Sequence, residues 1–172
     1  MGLFDKKKLN KLANKAKETL KDVLAEPTKN ELMEIEYYIS SASYYQNQIE
    51  NVVSSLQSIN NRYIMEIFSK ENTTIWKYDP CKIKNVKFEK EPNNEHDNNA
   101  IKIIVKTGLI GNVLIGYIPQ EDNIQFKKWL NSGKIYNINL TIYGGENKTI
   151  LENSVMEDKT NYKVTLKILV KK

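Results

Sequence analysis

The sequence predicts an α+β chain that is mainly β, and three observations carry that expectation. From Ile75 onward, apolar residues recur at every second position in short runs, the period of a half-buried strand. Turn-forming clusters separate the runs: Pro92-Asn93-Asn94, Gly111-Asn112 and Gly144-Gly145. Ahead of them, residues 3–24 and about 47–70 place apolar residues three and four apart, which is a helical period. Short, evenly spaced strands favour a closed or partly closed barrel, because closure removes exposed edges.

The elements follow in order. Residues 3–24 read as an amphipathic helix, with Leu9, Leu12, Ala13, Ala16, Leu20, Val23 and Leu24 on one stripe and lysines around the rest; Pro27 and the polar residues after it end the helix. Two readings stand for this helix. Its stripe packs on the domain or on a second copy, or its lysine face attracts phosphate or an anionic membrane. The stripe is narrow and holds two alanines, which argues against deep insertion into lipid. Glu31 to Tyr45, rich in Ile, Tyr and Ser, is expected as a first strand. Asn47 to about Lys70 is expected as one or two inserted helices. Ile83, Val86 and Phe88 belong to a lysine-rich strand, Ile101, Ile103 and Val105 to the next, and Val113, Ile115 and Tyr117 to the one after, ended by Pro119. Asp122 to Leu130 reads as a short helix with Ile124, Trp129 and Leu130 on its apolar side and Gly133 closing it. Ile135 to Ile142 and Tyr162 to Ile168 are strands, and the polar stretch between Glu146 and Asn161 is a loop or hairpin. Trp76 and Trp129 are expected to serve the core.

Charge and composition narrow the function. The chain has 172 residues and a formal net charge of +5. Residues 1–25 hold seven lysines against Asp5, Glu18 and Asp22, whereas the remainder carries 19 basic and 18 acidic residues, so the excess belongs to a basic arm, residues 1–29. The basic pI therefore says little about residues 31–172, the main domain. No apolar run is long enough for a transmembrane helix. The N-terminus lacks the apolar stretch of a secretory signal, so a cytoplasmic protein is expected. Cys81 and His96 are each the single residue of their kind, too few for a structural zinc site or a disulfide. No phosphate-binding Gly-x-x-x-x-Gly-Lys-Ser/Thr loop and no Gly-x-Ser-x-Gly elbow occurs. A protein without cofactor, metal or catalysis is expected.

Three segments resemble the HIRAN domain family. Glu91-Pro92-Asn93-Asn94-Glu95-His96-Asp97-Asn98-Asn99-Ala100-Ile101-Lys102-Ile103 resembles its signature, Glu-Pro-x-Asn-x-Tyr-Asp-x-Asn-Ala-Ile-x-Val. Ile115-Gly116-Tyr117-Ile118-Pro119 looks like its second segment, and Ser41-Ala42-Ser43-Tyr44-Tyr45-Gln46 is similar to its opening strand. The order agrees, and the likeness covers about residues 33–170. It implies a six-stranded barrel related to the OB fold, interrupted here by the helical insertion. The family includes domains fused to remodelling-type helicases and free-standing bacterial and phage proteins. The resemblance thus implies a DNA-binding protein of DNA repair that takes single-stranded DNA at a free 3′ end, with a helicase or other DNA-processing enzyme as partner.

Carried over residue by residue, the resemblance assigns Asp97 to the terminal 3′-hydroxyl. A carboxylate accepts from a hydroxyl and repels a phosphate that continues the chain. Asp97 equally reads as a turn cap. His96 stands where the family has a tyrosine; it is a smaller stacking face or an exposed turn residue. Asn93 and Asn94 match the family's asparagines, as phosphate contacts or as turn formers. Tyr44 and Tyr45 match the tyrosine pair; on a strand they point to opposite faces, one to the core and one to a ligand. Ser43 stands where the helicase-fused member has a basic residue, which removes one phosphate contact. Tyr117 aligns with a ligand-facing position, and Tyr143 is a candidate for the same groove; both equally read as core tyrosines. Asn99 is expected to bond across its turn. Two other functions stand beside DNA binding. One is an adaptor that self-associates or meets a protein partner through the N-terminal helix and the insertion. The other, a minor one, is Mg²⁺-dependent phosphodiester chemistry at Glu91, Glu95 and Asp97.

Overall fold

Why the chain builds two sheets rather than one follows from where its apolar residues fall. The structure is a computed structural model describing residues 11–17, 26–65, 73–152 and 154–172. It divides into Met1–Leu32 and Met33–Lys172. In the first unit, α1 (residues 11–17) is helical and exposed throughout, Leu12, Ala13 and Ala16 included, and a 3₁₀ turn covers Lys29–Glu31. Leu9, Leu20, Val23 and Leu24, expected on the same stripe, lie outside the described residues, as do Ile67 and Phe68 of the insertion.

The second unit begins with β1 (Leu32–Tyr38), which is followed by a 3₁₀ segment (Ser40–Tyr45) and the helices α2 (Gln46–Leu56) and α3 (Asn61–Met65). Then come β2 (Thr74–Trp76), β3 (Cys81–Ile83), β4 (Val86–Lys90), β5 (Ile101–Thr107), β6 (Gly111–Tyr117), α4 (Asn123–Asn131), β7 (Ile135–Leu151) and β8 (Ser154–Lys171). One antiparallel sheet runs β1-β8-β7-β2, with β3 also on β7; the other is β4-β5-β6. β7 serves both short strands because it is long: Cys81 lies opposite Ile142, and Trp76 opposite Asn147.

The core lies between these sheets. On β8, Tyr162, Val164, Leu166, Ile168 and Val170 are buried in strict alternation; on β5, Ile101, Ile103 and Val105 are buried, and Ile104 is covered as well. Ile49, Val52 and Val53 of α2 are buried among them, and α2 touches strands of both sheets, β5 and β6 as well as β7 and β8. An isolated helix of 11 residues is marginal in water. Burying three aliphatic side chains at roughly 1.5–3 kcal/mol each is what holds it. Phe126 of α4 closes the far end, its ring edge-on to Phe88 at 4.8 Å and to Tyr37 at 6.1 Å between centroids. α4 stops as its sequence requires: Gly133 adopts φ 64°, and the Lys134 N–H donates back to the Trp129 carbonyl at 3.0 Å.

Three expectations change on this architecture, and one open alternative is decided. No ladder joins the two sheets among the described residues, so the closed form of the expected six-stranded, closed or partly closed barrel is not seen, and two sheets are bridged through the 3₁₀ segment and α2. The first strand ends at Tyr38, and Tyr44 and Tyr45 sit on the 3₁₀ segment, so strand alternation does not govern where they point. Ile83 and Val86 belong to different strands in different sheets; each needs a buried neighbour, and Lys84-Asn85 lets the chain cross between them. Of the two readings for the polar stretch after Glu146, the hairpin holds: it is the outer half of the β7–β8 hairpin, laddered to Leu151↔Ser154. There the solvent accepts both faces of β8, so no apolar alternation marks it.

Candidate nucleic-acid interface

The signature segment folds as one closed turn between β4 and β5. The Glu91 N–H donates to the Ala100 carbonyl at 2.9 Å, closing the turn at its base. Inside it, Asn94 Oδ1 accepts from the backbone N–H of His96 (3.0 Å) and of Asp97 (3.1 Å), while Asn94 Nδ2 donates to Glu91 Oε2 at 2.8 Å. Asp97 Oδ1 accepts from the Asn99 N–H at 2.7 Å. The side chains therefore act as the turn's own hydrogen-bond frame, which is why the segment needs Asn and Asp at these positions. Asn99 reaches α4 instead of crossing its turn: its Oδ1 accepts from Lys127 Nζ at 3.2 Å.

A second wall comes from the 3₁₀ segment, held at two points. Ser41 Oγ accepts from the Tyr117 N–H of β6 at 2.9 Å. Gln46 donates to the carbonyls of Ala42 and Tyr162 and accepts from the Tyr162 N–H at 2.7 Å, tying the segment to β8. Gly116 permits this approach, since a Cβ there would lie 2.6 Å from Ile39 Cγ2 and 3.1 Å from Ser41 Oγ. The result sets the Tyr45 ring 6.3 Å from the Tyr117 ring and leaves Tyr44 84% exposed.

The third wall is the start of α4. Asn123 is only 2% exposed; its Nδ2 donates to Asp97 Oδ2, and its Oδ1 is buried without a hydrogen-bond partner. The amide cannot be turned over, because its oxygen would then face the carboxylate. Asp97 thus receives one internal bond on each oxygen. A carboxylate offers about four acceptor sites, so capacity remains toward the groove.

These walls enclose an open groove of about 610 Å³. It collects six of the eight residues singled out from the sequence: Tyr44, Tyr45, Asn94, His96, Asp97 and Tyr117. Asn93 is exposed on the turn and does not line it. Tyr143 does not line it either; it sits on β7, in the sheet opposite the one that carries the turn, and lines two other hollows. Sequence reasoning missed Ser41, Gln120 and Asn123. A serine beside a tyrosine pair and an asparagine opening a helix are ordinary, and only the fold brings them to Asp97.

Glu91 is the electrostatic anchor of the turn. Its Oε2 also accepts from the Tyr117 hydroxyl at 3.0 Å, and its Oε1 pairs with Lys102. The Lys102 ammonium first, then Asn94 and Tyr117, hold its carboxyl down at about 2, below the usual 4.5. Burial, and next the bond to Glu91, push the Tyr117 phenol up. A carboxyl held low in the folded state stabilises above its unfolded value and loses that contribution as pH falls toward the folded value. The expected result is that Glu91→Gln lowers the thermal midpoint at pH 7, and that the gap from wild type closes between about pH 4.5 and pH 2. Midpoints by circular dichroism across that range check it; a gap independent of pH would mean that the charge is idle.

Among the described residues no cluster of three or more His, Cys, Asp and Glu side chains is placed to hold a metal ion, and no helix is long and apolar enough to cross a membrane. Of the three acids of the phosphodiester reading, Glu91 and Asp97 are each engaged by internal donors, and Glu95 is exposed on the turn. Searches of curated proteins and of solved structures return no match. The HIRAN domain model matches residues 32–171. That domain is in general a DNA-binding module and is not itself catalytic. With the signature turn, the 3₁₀ tyrosines and the Gly-Tyr-Ile-Pro strand end converging on one groove, and the family model covering nearly the whole chain, this protein belongs to the HIRAN domain family.

Proposed function

We propose that the groove binds single-stranded DNA by its free 3′ end. One observation carries the reading: a half-buried carboxylate, Asp97, shares an open groove with the rings of Tyr44, Tyr45 and Tyr117, and these come from three distant segments. The rings offer π-faces to the last bases, which is a sequence-tolerant attraction. The carboxylate accepts a hydrogen bond from a terminal hydroxyl and repels a phosphate in its place. Selectivity for an end comes from that repulsion as much as from the bond. Two sheets bridged by a helix are read as an OB-like frame that keeps the groove open on one side. A helicase or another enzyme working at the same end is the partner this reading implies.

The direct test is fluorescence anisotropy with a 5′-labelled oligonucleotide ending in a 3′-hydroxyl and its twin ending in a 3′-phosphate. The hydroxyl form is expected to bind tighter; equal affinities would remove the end-binding reading. Tyr44→Ala isolates the stacking contribution. Tyr44 is too exposed to support the fold, so the thermal midpoint stays put, while affinity falls about 5- to 150-fold for the 1–3 kcal/mol of one stacked base. Unchanged affinity would place the strand away from this ring.

A further inference from the structure

Two more hollows lie beyond the 3₁₀ segment that walls the groove. Ser41, Tyr44 and Tyr45 face the groove, whereas Ser40, Ala42 and Ser43 line a hollow of about 260 Å³ on the other side, together with Tyr38, Tyr143 and Lys163. Tyr143 also lines the next hollow, of about 280 Å³, with Trp76, Tyr78 and Pro80. The three depressions therefore follow one another, the first two across one short segment and the last two across one ring. Packing does not account for two of the rings along this line: Tyr44 is 84% exposed and Tyr38 71%.

Charge indicates which way a strand leaves the groove. On the side of the turn and the start of α4, Glu95, Glu121 and Asp122 stand next to lining residues, and a phosphate backbone passing there meets three carboxylates, whereas the charge of Glu91 is met by Lys102. The route over residues 39–46 carries no charge, and at its far end Lys163 pairs in register with Tyr143 and makes no ion pair with a described residue. Beside Trp76, Lys77 and Glu146 neutralise each other at 2.8 Å. Exposed rings in succession with a cation between them are what a single strand needs, stacking for the bases and a counter-charge for the backbone.

We infer that the two hollows continue the groove as a track for single-stranded DNA, with Tyr143, Trp76 and Lys163 holding nucleotides upstream of the 3′ end. The inference rests on the end-binding reading and lengthens its footprint. It is tested on the full chain by anisotropy with 5′-labelled oligothymidylates, a dinucleotide and a decamer, each with a 3′-hydroxyl or a 3′-phosphate. The decamer is expected to bind at least about fivefold tighter than the dinucleotide. Tyr143→Ala and the surface change Lys163→Gln are each expected to reduce that advantage while leaving the dinucleotide's affinity and its hydroxyl preference intact. Equal affinity for the two lengths, or an advantage that survives both substitutions, overturns the track and leaves end binding standing. Dinucleotides bound alike with either terminus overturn end binding instead, and a length advantage that Tyr143→Ala still reduces then keeps the track.

Discussion

Asp97→Asn is expected to lower affinity for a 3′-hydroxyl strand by about 10- to 150-fold and to bring the hydroxyl and phosphate forms toward equal binding. A hydrogen bond to a charged acceptor is worth about 1.5–3 kcal/mol, which sets the size of the loss. The approach to equality has a separate cause: the neutral amide no longer repels a terminal phosphate. The substitution also disturbs the frame, since Asp97 Oδ2 accepts from Asn123 Nδ2 and an amide there must present its oxygen to both Asn123 and the Asn99 N–H. Thermal midpoints of both proteins, taken with the two binding curves, separate the effects. If the variant keeps its fold and still prefers the hydroxyl, the carboxylate is a turn cap with no part in recognition.

Asn123→Leu is expected to cost nearly as much binding with little loss of stability. The buried Asn123 amide satisfies Asp97 with one atom and leaves its own Oδ1 unpaired. An unpaired buried acceptor costs about 1–3 kcal/mol, comparable to the bond that its Nδ2 supplies, so an apolar side chain of similar size should leave the midpoint within a few degrees. Only the Asn99 N–H, on the other oxygen, then holds the Asp97 carboxylate, and the preference for a 3′-hydroxyl should fall about tenfold or more. Asn123 is thus a positioning residue whose amide favours orientation over stability. A sharp drop in midpoint would make it structural; an unchanged preference would make it irrelevant to the end.

The candidate site was legible in large part because one contiguous stretch builds its own turn. Asn94 and Asp97 bond within three residues of themselves, so their local pattern survives in the sequence. Tyr117 was legible through the resemblance of Ile115-Gly116-Tyr117-Ile118-Pro119 to the family's second segment, and the fold gives Gly116 its reason: a side chain there would obstruct Ile39 and Ser41. Tyr143 lies outside the groove because β7 belongs to the sheet opposite the turn, a pairing of distant segments. Asn123 was missed because its partner is 26 residues away. The tyrosine pair was assigned to a strand on composition, but the residues Ser40–Tyr45 turn as 3₁₀ so that Ala42 is buried and Gln46 reaches β8.

By itself, the sequence determined the family, the predominance of β structure, the strands with alternating burial and the turn that presents Asp97. The family rests on the likeness of three segments, and the others rest on interactions between near neighbours or on a two-residue period. Only the tertiary structure decided that the strands form two sheets, which tyrosines share the groove with Asp97, and that Asn123 stands behind it. Those outcomes depend on α2 and the 3₁₀ segment wedging between β6 and β8, a competition for buried apolar area among distant segments that no local pattern records.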